Sequence, residues 1–240
     1  MSDFDRFAKD YRTIHDANLE GMGYSSDYFS ARKIREIARH TKGADYKLKV
    51  LDLGCGDGLC CHYLRKYFSD ADIYGIDISL ESIIAAGNRN IPRAYFSLYD
   101  GLHIPFQNNF FHIVLMANVL HHVYRPENQT ALIRECRRVL MKESNLFIFE
   151  HNPLNPITRR LVNDCPFDQD AVLVHFRRLK KILTQAGFSH QFRFFLFLPG
   201  IFRKFEFIEK WLWWLPIGGQ YYFICQKKSN SMQKLQSIFA

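Results

Sequence analysis

The sequence predicts an α/β chain built on a mainly parallel sheet. Three observations carry this expectation. Short apolar runs alternate with amphipathic segments through residues 48–150, the first run stops at a turn with glycine at every second position, and residues 111–116 are almost continuously apolar. A central parallel strand covered on both faces needs such a run. With 240 residues, 48% of them hydrophobic, the chain can bury one substantial core, and no linker divides it. A single domain, 1–240, is expected.

The turn is the informative stretch. Leu51-Asp52-Leu53-Gly54-Cys55-Gly56-Asp57-Gly58 reads as strand, tight turn and helix start. Its glycines accept positive φ and leave no side chain between the backbone and a ligand at the helix N-terminus. Two carboxylates, Asp52 and Asp57, would repel a pyrophosphate; a cationic, phosphate-free cofactor with an amino group suits them better. S-adenosylmethionine answers that description. These residues resemble the first motif of the class I, Rossmann-like S-adenosylmethionine-dependent methyltransferases. The resemblance implies a three-layer sandwich around a mainly parallel seven-stranded sheet whose last strand is antiparallel. It also implies methyl transfer from S-adenosylmethionine, with Asp52, Gly54, Cys55, Gly56 and Gly58 at the cofactor. On this basis 1–45 is a helical cap, 46–150 the cofactor-binding core, 151–226 the substrate side and 227–240 a tail.

Before the turn, Phe4, Phe7 and Tyr11 recur at helical spacing and residues 30–41 read as a second helix. An N-terminal segment often closes over the ligand in the family that this chain resembles, which makes Tyr11, Arg32 and Lys33 candidates for the methionine carboxylate. Packing for Tyr11 and a solvated helix face for the other two is the competing reading. After the turn come a helix at 59–68 and a strand at 71–77. Asp77, ending that strand, is placed to accept both ribose hydroxyls of an adenosine ligand, or else to cap the next helix. Ile78 would then cover an adenine face. A helix at 82–90 and a strand at 93–98 follow. Asp100 and Gly101 resemble the family stretch that meets the adenine amino group, although Asp-Gly is also common turn chemistry.

Residues 109–123 give the second match to the family. His112 stands where the family pattern has aspartate, at the strand's far end. At the carboxyl end, where open parallel sheets bind ligands, Asn118 is assigned to the cofactor and His121 to the reaction. His121 and His122 read either as a general base or as turn and cap residues. Residues 127–141 form a helix and 145–150 the fifth strand; 141–145 replaces the family's proline and glycine turn. Glu150 and His151 then read as an acid–base pair or as a hydrogen-bonded loop. Asp164, Asp168 and Asp170 show no metal-site spacing, and Asp168 suits a cap for a helix over 172–186. Strands at about 192–196 and 220–226 complete the sheet. Between them, residues 198–216 hold three tryptophans among phenylalanines and lysines. This segment suits packing over the sheet, a lid on the acceptor, or a membrane interface. Residues 150–222 are diffusely similar to bacterial methyltransferases of surface glycan or lipid pathways.

Six cysteines without a CxxC pair predict reduced, buried thiols and no metal site. A net charge of +8 favours acidic partners, but the basic residues are scattered in pairs and form no stripe for nucleic acid. The expected protein is cytoplasmic, with inner-membrane contact through 198–216 as one option. It would methylate an oxygen or nitrogen atom of a small-molecule or lipid- or glycan-linked acceptor. The competing class is a noncatalytic S-adenosylmethionine-binding scaffold for a protein or membrane partner.

Overall fold

Alternation along the strands decides which helices cover which face of the sheet. A computed structural model describes residues 16, 24–41, 47–166, 168, 170–196, 198 and 200–227. Phe4, Phe7, Tyr11 and residues 228–240 lie outside this set. In chain order the elements are α1 (Ser26–His40), β1 (Lys49–Leu53), α2 (Leu59–Tyr67), β2 (Asp72–Asp77), α3 (Leu80–Asn88), β3 (Ala94–Leu98) and β4 (Phe111–Ala117). Then follow a 3-10 turn (Leu120–His122), α4 (Pro126–Val139), β5 (Leu140–His151), α5 (Pro156–Asn163), α6 (Phe176–Gln185) and β6 (Phe188–Phe195). A second 3-10 segment (Gly200–Ile208), α7 (Glu209–Leu212) and β7 (Gln220–Lys227) complete it.

The sheet has seven strands in the order β3-β2-β1-β4-β5-β7-β6. β1 pairs in parallel with both β2 and β4, and β7 runs antiparallel between β5 and β6. This is the expected Rossmann-like architecture. Leu51 and Leu53 of β1, with Val114, Met116, Leu146 and Ile148, face α4 and α6 through Leu132, Ile133, Leu179 and Leu183. Val50, Ile113, Leu115, Phe147 and Phe149 face the other way, against Ile34 and Ile37 of α1 and Leu64 of α2. Asp52 shares the face of Val50, so the sheet's pleat turns its carboxylate toward α1. The strand order reverses between β1 and β4, and the crevice beyond their carboxyl ends is where this architecture takes ligands.

Local chemistry sets the boundaries, and several differ from the sequence reading. α1 starts at Ser26 because the Ser25 hydroxyl accepts from the Tyr28 amide at 3.2 Å. β5 begins at Leu140, directly after α4, rather than near 145. The register jumps from Phe111 opposite Leu140 to Ile113 opposite Asn145, and Glu143 absorbs the extra chain with φ of 59°. α6 begins at Phe176 under a cap from the His175 ring, so Asp168 caps no helix there. His112 has a structural reason of its own: its Nδ1 accepts from the Lys49 amide at 3.0 Å, tying the starts of β4 and β1.

The acidic side chains of the 200–212 segment, Glu206 and Glu209, turn inward, while Lys204 and Lys210 are exposed. Glu209 is buried and pairs with the buried Arg32 guanidinium at 2.7 Å, while Glu206 meets Arg32, Arg35 and the Tyr28 hydroxyl. Arg32 is therefore committed to this segment rather than to a ligand carboxylate. Removing one partner of a buried ion pair strands the other charge away from water. Arg32→Ala should accordingly lower unfolding free energy by about 3 kcal/mol in chemical denaturation. The double change Arg32→Met with Glu209→Leu should recover most of the loss; an Arg32→Ala protein as stable as wild type would contradict this assignment.

Candidate active site

The carboxyl ends of β1, β2, β4 and β5 open into one cavity of about 660 Å³. That is the size of an ordinary small-molecule cleft, roughly 300–1,000 Å³. The turn after β1 forms its floor. Gly54 and Cys55 amides donate to the Ile76 carbonyl at 2.8 and 3.1 Å, and the Gly56 amide donates to Asp77 Oδ2 at 2.8 Å. These bonds lash the turn to the end of β2. Gly54 has φ of +74°, and a Cβ there would stand 2.5 Å from Val119 Cγ2, so no side chain fits. Asp57 is ion-paired with Arg89, which turns that carboxylate toward α3.

The adenosine end assigned by sequence is assembled around β2 and the loop after β3. Asp77, Ile78, Asp100 and Gly101 all line the cavity. Asp77 Oδ1 also accepts from the Ser79 amide at 3.0 Å, so the carboxylate already binds the start of the next helix and the turn after β1. Ile78 is 40% exposed, an apolar plate facing the opening. Asp100 is engaged locally: Oδ1 accepts from the Leu102 and His103 amides, and Oδ2 meets His103 Nδ1 at 2.7 Å. These bonds lower its pKa to about 2. They orient the loop, and an adenine contact would be additional to them.

The opposite end collects polar groups from four elements. Asp52, fully buried, accepts from the Cys61 thiol at 3.2 Å, and burial pushes its pKa up to about 7. Lys33 of α1 lines the same space; burial lowers its pKa against the raising influence of Cys60, Glu150 and Asp52. Asn118 follows β4 in the left-handed region with φ of 58°, and its Oδ1 is buried without a hydrogen-bond partner among the described residues. Gln220 Oε1, at the start of β7, is likewise unpartnered. Gln220 escaped the sequence reading; its signal was a polar residue opening an otherwise apolar strand.

His121 is placed differently from its assignment as a reacting group. It is 1% exposed behind the cavity wall, with Nδ1 2.7 Å from Glu150 Oε2. Glu150 Oε1 in turn accepts from the Val119 and Leu120 amides at 3.1 and 2.7 Å. Burial opposes protonation of His121, but the flanking Glu150 and Asp168 prevail and raise its pKa to about 9. His122 and His151 do line the cavity, as does Asp168. Burial and the adjacent His121 charge hold His122 near 3.

The comparisons agree with this geometry. Residues 51–148 match the methyltransferase domain family. Ajmaline N-methyltransferase of Rauvolfia serpentina is 32% identical over 108 residues, 42% of this chain and 35% of that one. Demethylmenaquinone methyltransferase of Thermotoga maritima is 27% identical over 152 residues, 63% and 61% of the two chains. The chain spans about half the length of the curated relatives it matches. Among solved structures, an Archaeoglobus fulgidus S-adenosylmethionine-dependent methyltransferase superposes with a TM-score of 0.65 at 21% identity, covering 85% of this chain and 95% of that one. A Haemonchus contortus N-methyltransferase held with S-adenosylhomocysteine gives 0.61 at 16% identity, covering 82% and 52%. Residues 51–148 therefore carry a methyltransferase domain, and the fold around them is similar to that of the class I S-adenosylmethionine-dependent methyltransferases.

The residues present fit that family's cofactor. Asp52 and the orphaned Asn118 Oδ1 are acceptors suited to a cationic amino acid moiety, Lys33 suits its carboxylate, and Asp77 and Ile78 suit the nucleoside. The raised Asp52 pKa has a sign that can be checked. The folded chain holds that proton more tightly than the unfolded one, so this site stabilises folding in acid, and the contribution is lost as pH rises through about 7. A cationic ligand favours the ionised form. S-adenosylmethionine should therefore bind more tightly at pH 8 than at pH 6 and release a proton at pH 6. Calorimetry in buffers of different ionisation enthalpy reads both effects, and Asp52→Asn should remove them while weakening binding about tenfold or more.

Proposed function

We propose that this chain transfers a methyl group from S-adenosylmethionine to an oxygen or nitrogen atom of a small or lipid-linked acceptor. The observation that carries the reading is the cavity at the β1/β4 switch point, whose lining brings Asp52, Asn118 and Lys33 together with Asp77 and Ile78. When bound, the cofactor supplies a methyl group activated on a sulfonium. The chain's own task is then positioning and exclusion of water. Asn118, the glycine turn and His151 line this cavity, and in this reading His151 is the group suited to take the acceptor's proton. His121 serves as a positioning residue held by Glu150.

Titration calorimetry of wild type and Asp77→Ala with S-adenosylmethionine tests the proposal. Saturable binding, weakened at least about tenfold in a folded Asp77→Ala protein, is expected. Absence of binding by folded wild type would overturn it. Methyl incorporation separates the enzyme from a scaffold, since a scaffold would bind the cofactor without transferring its methyl group to any acceptor.

The lipid-linked option rests on a specific feature. Phe205, Phe207, Trp211, Trp213 and Trp214 are exposed, Trp214 at 61%, while Glu206 and Glu209 of the same segment point inward. Aqueous surfaces normally show the reverse order. Leu154 and the cavity-lining Ile157 add exposed apolar surface; Arg159 and Arg160 follow them in sequence, and Lys204 and Lys210 lie within the aromatic segment. Among the described residues no helix is long and apolar enough to cross a membrane, so contact would be at the interface. Sedimentation with vesicles containing anionic lipid should retain wild type and release Trp211→Ala/Trp214→Ala. Equal retention of the two proteins would exclude this surface.

A further inference from the structure

We propose that His121, His122 and Asp168 form a binding site for one divalent transition-metal ion of the zinc class, at the wall of the cavity. The three donors come from two places in the chain. His121 and His122 lie on the 3-10 turn after β4, and Asp168 lies between α5 and α6. Their ligand atoms converge: Asp168 Oδ1 is 3.8 Å from His121 Nε2 and 3.3 Å from His122 Nε2, and all three atoms lie within 4.8 Å of one another. Tetrahedral zinc with bonds of about 2.0–2.1 Å separates its donors by roughly 3.3 Å. One pair already has that spacing, and closing the others requires movements of an ångström or so.

The surroundings are those that orient a metal-binding imidazole. Glu150 holds His121 Nδ1 at 2.7 Å, leaving Nε2 directed at Asp168, and the Val119 and Leu120 amides hold Glu150. Such a carboxylate–histidine contact fixes both ring orientation and tautomer in metal centres. The turn itself is braced. Gln129 Nε2 donates to the Leu120 and Val123 carbonyls at 3.0 and 2.8 Å, and the Val172 amide donates to the His121 carbonyl at 2.9 Å. That last bond ties the chain just beyond Asp168 to the histidine turn. Glu150 and Asp168 flank the His121 ring on either side, so an ion bound at Nε2 would take the place of the proton that these carboxylates favour there.

Three protein ligands leave coordination positions open, as in zinc sites that bind a further molecule. His122 and Asp168 line the cavity, so a molecule within it has access to an ion held by them. An oxygen or nitrogen donor of the acceptor is the chemistry that would complete the shell. Insofar as that donor is the methyl acceptor, this use of the ion rests on the proposed function; the ion's binding does not.

The test uses the whole chain, stripped with chelator and titrated with Co²⁺ while its visible d–d bands are recorded, then with Zn²⁺ in competition. One equivalent of Co²⁺, displaced by Zn²⁺, is expected, with affinity reduced at least about tenfold in His122→Ala and in Asp168→Asn. The exposed-residue control His103→Ala should bind as wild type does. S-adenosylmethionine calorimetry on the same variants reports folding and keeps the two proposals separable. X-ray absorption of the zinc-loaded wild type requires no variant, and it should show imidazole and oxygen ligands. No d–d bands, undiminished affinity in both variants, or a zinc–sulfur shell would each overturn the site.

Discussion

The rest of the structure depends on how β1 ends. An apolar strand in the centre of a parallel sheet has to stop, reverse into a helix and still leave its last carboxylate on the wall of the cavity. Gly54 stands where any Cβ would strike Val119, and the Gly54, Cys55 and Gly56 amides are bound to the Ile76 carbonyl and Asp77. The ends of β1 and β2 thereby become one unit. Asp52, two residues before the turn, is carried to the α1 face by the pleat, and the strand order reverses beside it. Cofactor recognition in this chain is a consequence of sheet geometry as much as of side-chain identity.

A second dependence runs from α1 to the segment between β6 and β7. Arg32, central to α1, gathers Glu206 and Glu209, while Lys33, one residue on, enters the cavity. Successive helical residues are about 100° apart, so one helix presents the first to the segment and the second to the ligand space. The tryptophan-bearing side of the segment is consequently turned outward. Cofactor site and aromatic surface share a support, giving a physical route by which contact at one affects the other.

Much of the fold was legible in the sequence, for reasons tied to particular residues. Asp52, the alternate glycines and Asp77 follow from the strand–turn–helix unit, whose geometry is local. The apolar run before Asn118 marked β4 because a strand covered on both faces tolerates no polar break. Long-range pairings were not legible. Arg32 read as a solvated or ligand-facing residue because its partners lie more than 170 positions away. Asp168 read as a helix cap, and no metal site was expected, because its convergence with His121 and His122 exists only once β4 and the α5–α6 connection meet. The extended start of β5 was hidden by a bulge at Glu143, where a family turn suggested a break.

The central claim is that one cavity holds the adenosyl cofactor with its nucleoside toward Asp77 and its amino acid end toward Asp52, Asn118 and Lys33. A crystal structure of the chain with S-adenosylhomocysteine tests this most directly. The account predicts ribose oxygens within hydrogen-bond distance of Asp77, the amino group near Asp52 or Asn118, and the carboxylate near Lys33. A ligand bound in the reverse direction, or outside this cavity, would contradict it.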